Sequence, residues 1–485
     1  MMIRLAPLLL LAALLQACAT NPVSGNQEFV LMSEKQELSL GQQAAAQVAN
    51  QLILLPKNDP LVRYVDEVGQ RMGQVSDRPQ LFYRFHVVDD GTVNAFALPG
   101  GYIYVHRGLL NHLNSEAELA AVLGHEIGHV TARHTVQRYT QAQAYQLGMA
   151  ITSIFLPIPQ GASLLTDLLA TAVIQGYGRQ AELESDELSL TYLQRAGYDV
   201  NASIRILKTI RRLDDIDKLE KEDAGEKVKN YHGAFASHPE TKQRIEDAVA
   251  KASQLPGQQQ AKVSHNPMLK AVDGYPYADS PREGAVIGRR FLHPDLGIQL
   301  EFPKGWIIKN TPQALTARKR KQKVFFQLST KELQKREPAE TILKTLFPLR
   351  HIGAIATGTK HGFPFARSLV MASAPKMSKA AIDVTVWLDG PRAYIMLMWT
   401  PRDQHAELST DFSAIHDSFH RYDKVRDGDV PRIALHTWKK DDTWPRLAER
   451  SQNILGRFTA ERIAALNGMG KDERPATGRL VKMVK

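Results

Sequence analysis

The sequence predicts a multidomain α+β protein, and three observations carry that expectation. First, a capped and largely apolar helix spans residues 115–130 and bears imidazole and carboxylate side chains at helical spacing. Second, a polar linker, QLPGQQQAKVSHNP at 254–267, coincides with a change of charge. Residues 1–265 hold 24 Lys+Arg against 28 Asp+Glu, and the remainder holds 37 against 23. Third, residues 281–424 alternate strand-like runs with isolated helices, as expected of a sheet with helices set on it. A chain of 485 residues has room for about three domains. The expected division is a leader at 1–17, a first domain at 18–253, a linker at 254–280, an α+β domain at 281–424 and a small domain at 432–485.

At the N-terminus, Arg4 precedes an apolar run from Leu5 to Leu15, followed by Gln16-Ala17-Cys18. Eleven apolar residues are too few to span a bilayer as a helix and suit the core of a signal peptide. Cys18 is the one cysteine in the chain, so it has no intrachain disulfide partner. Further on, Val93 to Leu98 and Tyr102 to Val105 are β-rich runs around Pro99-Gly100-Gly101, which reads as a turn. Asn94, Ala95 and Phe96 are placed on an exposed sheet edge, where an extended peptide could add as a further strand.

The next element decides the chemistry. Ser115 and Glu118 form a capping-box pattern that starts a helix, and the run AAVLGHEIGHVTARH lies on it. Positions four apart share one helix face, so His125 and His129 can hold one metal ion. Glu126 lies beside them, placed to take a proton from an attacking water. His134 is turned off that face and reads as structural. A catalytic zinc site takes three protein ligands, and the third is expected from a second helix in GYGRQAELESDELSLTYLQRAGYD, at Glu182. Asp186, four residues on, faces the same way and would hold the outer ring N–H of a ligand histidine. Glu184 and Glu187 read as a solvated acidic face. The apolar stretch 147–174 is interrupted by Pro157, Pro159, Gln160 and Asp167, and reads as a hairpin covering the cleft or touching a membrane surface.

His238, in Ser237-His238-Pro239, has three readings: a ligand at the open zinc position, a donor to the oxyanion of a tetrahedral intermediate, or a plain loop residue. In the α+β domain, Leu296 to Phe302, Val324 to Leu328, Ile382 to Leu388 and Ala393 to Trp399 read as strands. Pro338 to Leu346 and Thr410 to Phe419 read as helices, and Arg318 to Lys321 with Lys323 as a basic hairpin tip or loop. The excess of positive charge after residue 265 suggests an anionic partner such as peptidoglycan or outer-membrane components, and nucleic acid is not expected.

HEIGH followed some fifty residues later by E-x-x-x-D resembles the gluzincin family of HtpX, BepA and the CAAX prenyl proteases, peptidase family M48. NPVSGNQEFVLMSEKQELSLGQQAA (21–45), VNAFALPGGYIYVHRGLL (93–110) and FASHPETKQRI (235–245) resemble its periplasmic lipoprotein branch. The resemblance implies a mainly helical zincin-type domain and a zinc-dependent endopeptidase acting on envelope proteins, with one Zn2+ held by His125, His129 and Glu182 and with Glu126 as the catalytic base. The setting of Cys18 resembles a bacterial lipobox, which implies lipidation there. With Ala19 next, it further implies a periplasm-facing anchor in the inner leaflet of the outer membrane. FLHPDLGIQLEFPKGW and IHDSFHRY resemble PsbP-like α+β domains, and ALHTWKKDDTWPRLAERS with IAALNGM and GRLVKMV resembles a βααβ LysM module. Two other functions stay open: an assembly factor or chaperone with little proteolysis, and a zinc hydrolase acting on peptidoglycan peptides.

Overall fold

The computed structural model describes residues 18–20, 23, 27–29 and 32–485, apart from 141–176, 224–240, 256–260, 278–279, 312–313, 320–321, 376, 423–429 and 452–454. The leader, the 147–174 stretch and His238 therefore lie outside the described residues. Cys18 falls in a short strand pair, β1 (Cys18–Thr20) with β2 (Gln27–Phe29).

The first domain is helical around one small sheet. Helix α1 (Glu34–Gln51) starts at a full capping box between Ser33 and Gln36, and α2 (Pro60–Gln74) has Asp59 as its cap and Pro60 in its first turn. Strands β3 (Arg84–Val88), β4 (Ala95–Leu98) and β5 (Tyr102–His106) form a sheet in the order β3-β5-β4. The expected hairpin is present: β4 runs antiparallel to β5 in the register Ala95↔Val105 to Leu98↔Tyr102. Gly100 (φ 75°) and Gly101 (φ 87°) supply the left-handed turn between them. After the short helix α3 (Arg107–His112) come α4 (Glu116–Thr131), α5 (Arg179–Arg195), α6 (Asn201–Asp223) and α7 (Thr241–Ala252). Leu119, Leu123 and Ile127 of α4 are fully buried in the core shared with α2, α5 and α6.

The polar segment 254–280 is only partly a linker. It contains α8 (His265–Val272), whose Met268 and Val272 are fully buried in the first domain's core. Amides at the start of α4 bond this segment: Glu116 N–H to Ser264 O at 3.0 Å and Ala117 N–H to Val263 O at 3.2 Å. Composition marked these residues as solvent-facing; three apolar side chains on one face of a short helix are enough to dock it.

The middle domain is an antiparallel α+β layer structure, in agreement with the expected class. Seven strands are ordered β12-β13-β14-β15-β11-β10-β9, and four more β16-β8-β7-β6. The strands are β6 (Ala285–Ile287), β7 (Arg290–His293), β8 (Ile298–Glu301), β9 (Trp306–Asn310), β10 (Leu315–Lys319), β11 (Phe325–Glu332), β12 (Ala356–Lys360), β13 (Phe363–Ala374), β14 (Met377–Asp389), β15 (Arg392–Pro401) and β16 (His420–Arg421). Helices α9 (Ala339–Leu346) and α10 (His405–Ser418) complete it; α10 starts five residues before the sequence suggested. Strand β14 is buried from Ala380 to Trp387, as suits a strand covered on both faces, by α9 on one side and α10 on the other. Its Trp387 is fully buried, stacked on Phe419.

Residues 433–484 fold as β17 (Ile433–Thr437), α11 (Trp444–Arg450), α12 (Thr459–Leu466) and β18 (Leu480–Val484), the expected βααβ order. Trp438 and Trp444 pack on each other at 4.6 Å, 2% and 1% exposed, as core residues rather than sugar-stacking ones. Ile433, Leu466 and Val484 belong to the first domain's core cluster, so this module is docked on that domain. Among the described residues no helix is long and apolar enough to cross a membrane.

Candidate metal centre

Helix α4 begins where the sequence placed it, with Ser115 Oγ accepting from Glu118 N–H at 3.2 Å. The reciprocal bond of the cap is displaced by one residue: Glu118 Oε2 accepts from Asn114 N–H at 2.7 Å. Every residue from Glu116 to Thr131 is buried, so polar side chains on this helix must find partners inside the protein. Gly128 lets α5 come close, since a Cβ there would lie 3.2 Å from the Ser185 backbone. That close approach brings the two motif-bearing helices to one point.

His125, His129 and Glu182 converge there, at 6%, 0% and 1% exposure. The two Nε2 atoms are 3.1 Å apart, and Glu182 lies 3.5 Å from His125 Nε2 and 3.6 Å from His129 Nε2. Both outer ring nitrogens are engaged elsewhere, which leaves the Nε2 atoms for a shared ion. His125 Nδ1 meets Asp186 Oδ1 at 2.9 Å, and His129 Nδ1 meets His134 Nδ1 at 2.9 Å. His134 Nε2 in turn meets Glu184 at 3.2 Å. The tautomers that satisfy all three contacts put protons on His125 Nδ1, His129 Nδ1 and His134 Nε2. Two neutral imidazoles and one carboxylate with oriented outer shells form a donor set that fits zinc. Glu126 is fully buried on the same helix, next to the first of these histidines.

His134 and Glu184, read from the sequence as a structural residue and a solvated carboxylate, thus form a chain behind His129. His134 stays outside the His125–His129–Glu182 group, as its spacing says, and the left-handed Arg133 (φ 58°) between the two helical segments accompanies its contact with the outer nitrogen of His129. Glu37 holds Arg133 in that conformation through Nε at 2.8 Å.

Two neighbours had no signal in helical spacing. Arg244 of α7, 4% exposed at its side chain, donates to both Asp186 oxygens at 2.7 Å and reaches Glu182 at 3.0 Å. Burial alone would raise the Asp186 pKa, but Arg244 and then His125 outweigh it and hold the carboxyl down at about 2. For His125, burial disfavours the charged ring, yet Asp186 and Glu182 raise it to about 9. Tyr177 stacks on His129 with centroids 3.8 Å apart, and its hydroxyl bonds Thr135 at 2.6 Å.

The expected substrate edge requires correction. Strand β4 is the terminal strand of its sheet, but it is not exposed: Asn94, Ala95 and Phe96 are 7%, 0% and 0% accessible. Phe96 stacks on Tyr104 at 4.8 Å in a core shared with α1, and the Tyr177 hydroxyl donates to Ala97 O at 3.3 Å. Edge position follows from the pairing pattern; cover from a residue eighty positions away does not.

Residues 61–252 match the family described as Peptidase family M48. The chain is similar to mitochondrial metalloendopeptidase OMA1 of Schizosaccharomyces pombe, 33% identical over 229 residues, covering 46% of this chain and 63% of that protein. It is also similar to the beta-barrel assembly-enhancing protease of Escherichia coli, 29% identical over 247 residues, covering 49% and 48%. The chain spans about half the length of the curated relatives it matches. Among solved structures it is similar to cyanobacterial PsbP of Synechocystis, 14% identical over 27% of this chain and 91% of that one, with a TM-score of 0.24.

Proposed function

We propose, from the premise that residues 61–252 are a domain of peptidase family M48, that this protein is a zinc-dependent endopeptidase acting on proteins of the cell envelope. The observation that carries the reading is the buried convergence of His125, His129 and Glu182 beside Glu126. Zinc, when bound, supplies Lewis acidity at the scissile carbonyl. His125 and His129 offer Nε2, and Glu182 its carboxylate. Asp186 and the His134–Glu184 pair hold the two rings in the ligating tautomer. Glu126 takes the proton of the attacking water and delivers it to the departing amine.

Substrates are unfolded or misassembled envelope proteins, a reading supported by the similarity to proteins named for β-barrel assembly enhancement. Cys18 carries the lipid anchor in the outer membrane, facing the periplasm. Peptidoglycan is a weaker partner for the βααβ module, whose tryptophans are spent in its core.

Incubating the purified chain with casein and, separately, with isolated peptidoglycan tests the reading. Cleavage of casein supports it. Release of muropeptides with casein intact favours the peptidoglycan hydrolase, and zinc binding with neither activity favours the assembly factor.

A further inference from the structure

The C-terminal module contributes a buried lysine to the domain that carries the metal centre. In β18 side chains alternate between faces, and the cores confirm the alternation. Val481 lies in the module's own core with Trp438 and Leu447, whereas Val484 lies in the core of the first domain. Lys482 shares the Val484 face and is fully buried. Its Nζ donates to Asn111 O at 2.5 Å and to Leu113 O at 2.7 Å. These carbonyls belong to the end of α3, where helix geometry leaves the last C=O groups without partners in the helix. A cation at that end also meets the negative pole of the helix.

The turn beyond α3 is the start of α4. Only Asn114 separates the Leu113 carbonyl from Ser115, the cap of the metal-site helix, and Asn114 N–H is held by Glu118. Lys482 is thus a cap supplied by a segment more than 360 residues away in the chain. The strand that bears it is fixed in turn: Asn467 accepts from Lys482 N–H and donates to its carbonyl, both at 2.8 Å. The module as a whole is tied down by Arg462 to Asp217 and Glu220 of α6, and by Arg212 to Gly468 O.

We propose that Lys482 is a positioning residue of the metal centre: the βααβ module caps α3 in trans and thereby sets the turn from which the His125–His129 helix departs. The module is then a working part of the peptidase domain rather than a freely swinging arm. Burying a lysine is costly, which is consistent with the lowered Lys482 pKa, about 7, caused by desolvation and partly offset by Glu118. A residue needed only to fill space on that face would more cheaply be apolar, like Val484.

Lys482→Met in the full-length chain tests the proposal, because it keeps the bulk and removes the donor. Amide hydrogen exchange is followed at 114–119, with α2 of the same domain as an internal reference for its global stability. Zinc release into a chromogenic chelator is timed in parallel. The expected result is exchange at 114–119 faster by about tenfold or more with α2 unchanged, and zinc lost faster. On casein, kcat should fall with little change in KM. If the methionine variant does not fold, Lys482→Gln, which keeps an N–H donor, is measured in its place and should fall between parent and loss. Exchange and zinc release at parent values would overturn the proposal. The exchange and release measurements need no turnover, so an inactive parent would refute the peptidase reading without touching this one.

Discussion

Replacing Arg244 with leucine removes a guanidinium that touches both Glu182 and Asp186 of α5. Asp186 is held down at about 2 against an ordinary 3.8, a depression that corresponds to roughly 2–3 kcal/mol of preference for the carboxylate form. Removing one partner of a buried ion pair costs about 3–5 kcal/mol, because the other charge is left without compensation. The larger figure applies here, since Glu182 loses the same partner. The folded pKa of Asp186 lies below its unfolded value, so its stabilisation is fully present above about pH 4 and is lost as pH falls through about 2. With Arg244 gone, that depression shrinks and acid unfolding should begin at higher pH. Urea unfolding of parent and variant at neutral pH, repeated in chelator along an acid series, measures both effects. A variant within about 0.5 kcal/mol of the parent, with the same acid midpoint, would refute this view of Arg244.

His134→Ala should lower zinc affinity by about ten- to a hundredfold, as loss of an outer partner typically does, and competition with a chelator reads this directly; unchanged affinity would return His134 to a structural role. Glu182→Ala should reduce zinc content by elemental analysis, and full occupancy would mean that the third ligand was misassigned. Burial lowers His112 to about 3 and His293 to about 4, so the folded chain stays neutral at these rings where the unfolded chain is protonated. Stability should therefore fall as pH drops below about 6.5 and go on falling toward 3–4, by up to about 1.4 kcal/mol per pH unit for each group. His112→Gln should flatten that slope, and an unaltered acid profile would contradict it.

The convergence of the candidate ligands was legible because its determinants are local. A cap, a helical period and an i, i+4 pair placed His125, Glu126 and His129 on one helix, and the same period paired Glu182 with Asp186. The class of the middle domain was legible from alternation, since β14 and β15 carry long apolar runs between turn residues. Contacts between distant segments were not. Arg244 belongs to a stretch that resembled the family, yet nothing in its spacing says that it folds back between two carboxylates of α5. The contact of His134 with His129 had no signal in ideal helical spacing, because Arg133 adopts a left-handed backbone after the helix ends. The docking of 254–280 and of the C-terminal module depends on a few apolar side chains in otherwise polar sequence, a pattern indistinguishable from a linker until the partner surface is known. The burial of β4 was missed for the same reason.

The most direct test of the central claim is a paired measurement on the parent and Glu126→Gln: zinc content and the rate of casein hydrolysis. The ligands and their outer partners are untouched in the variant, so zinc should stay near one per chain. Loss of the group that moves the proton should slow turnover by about two to four powers of ten. Casein cleavage at the parent rate, with zinc in place, would contradict the assignment of Glu126 and with it the proposed chemistry of the site.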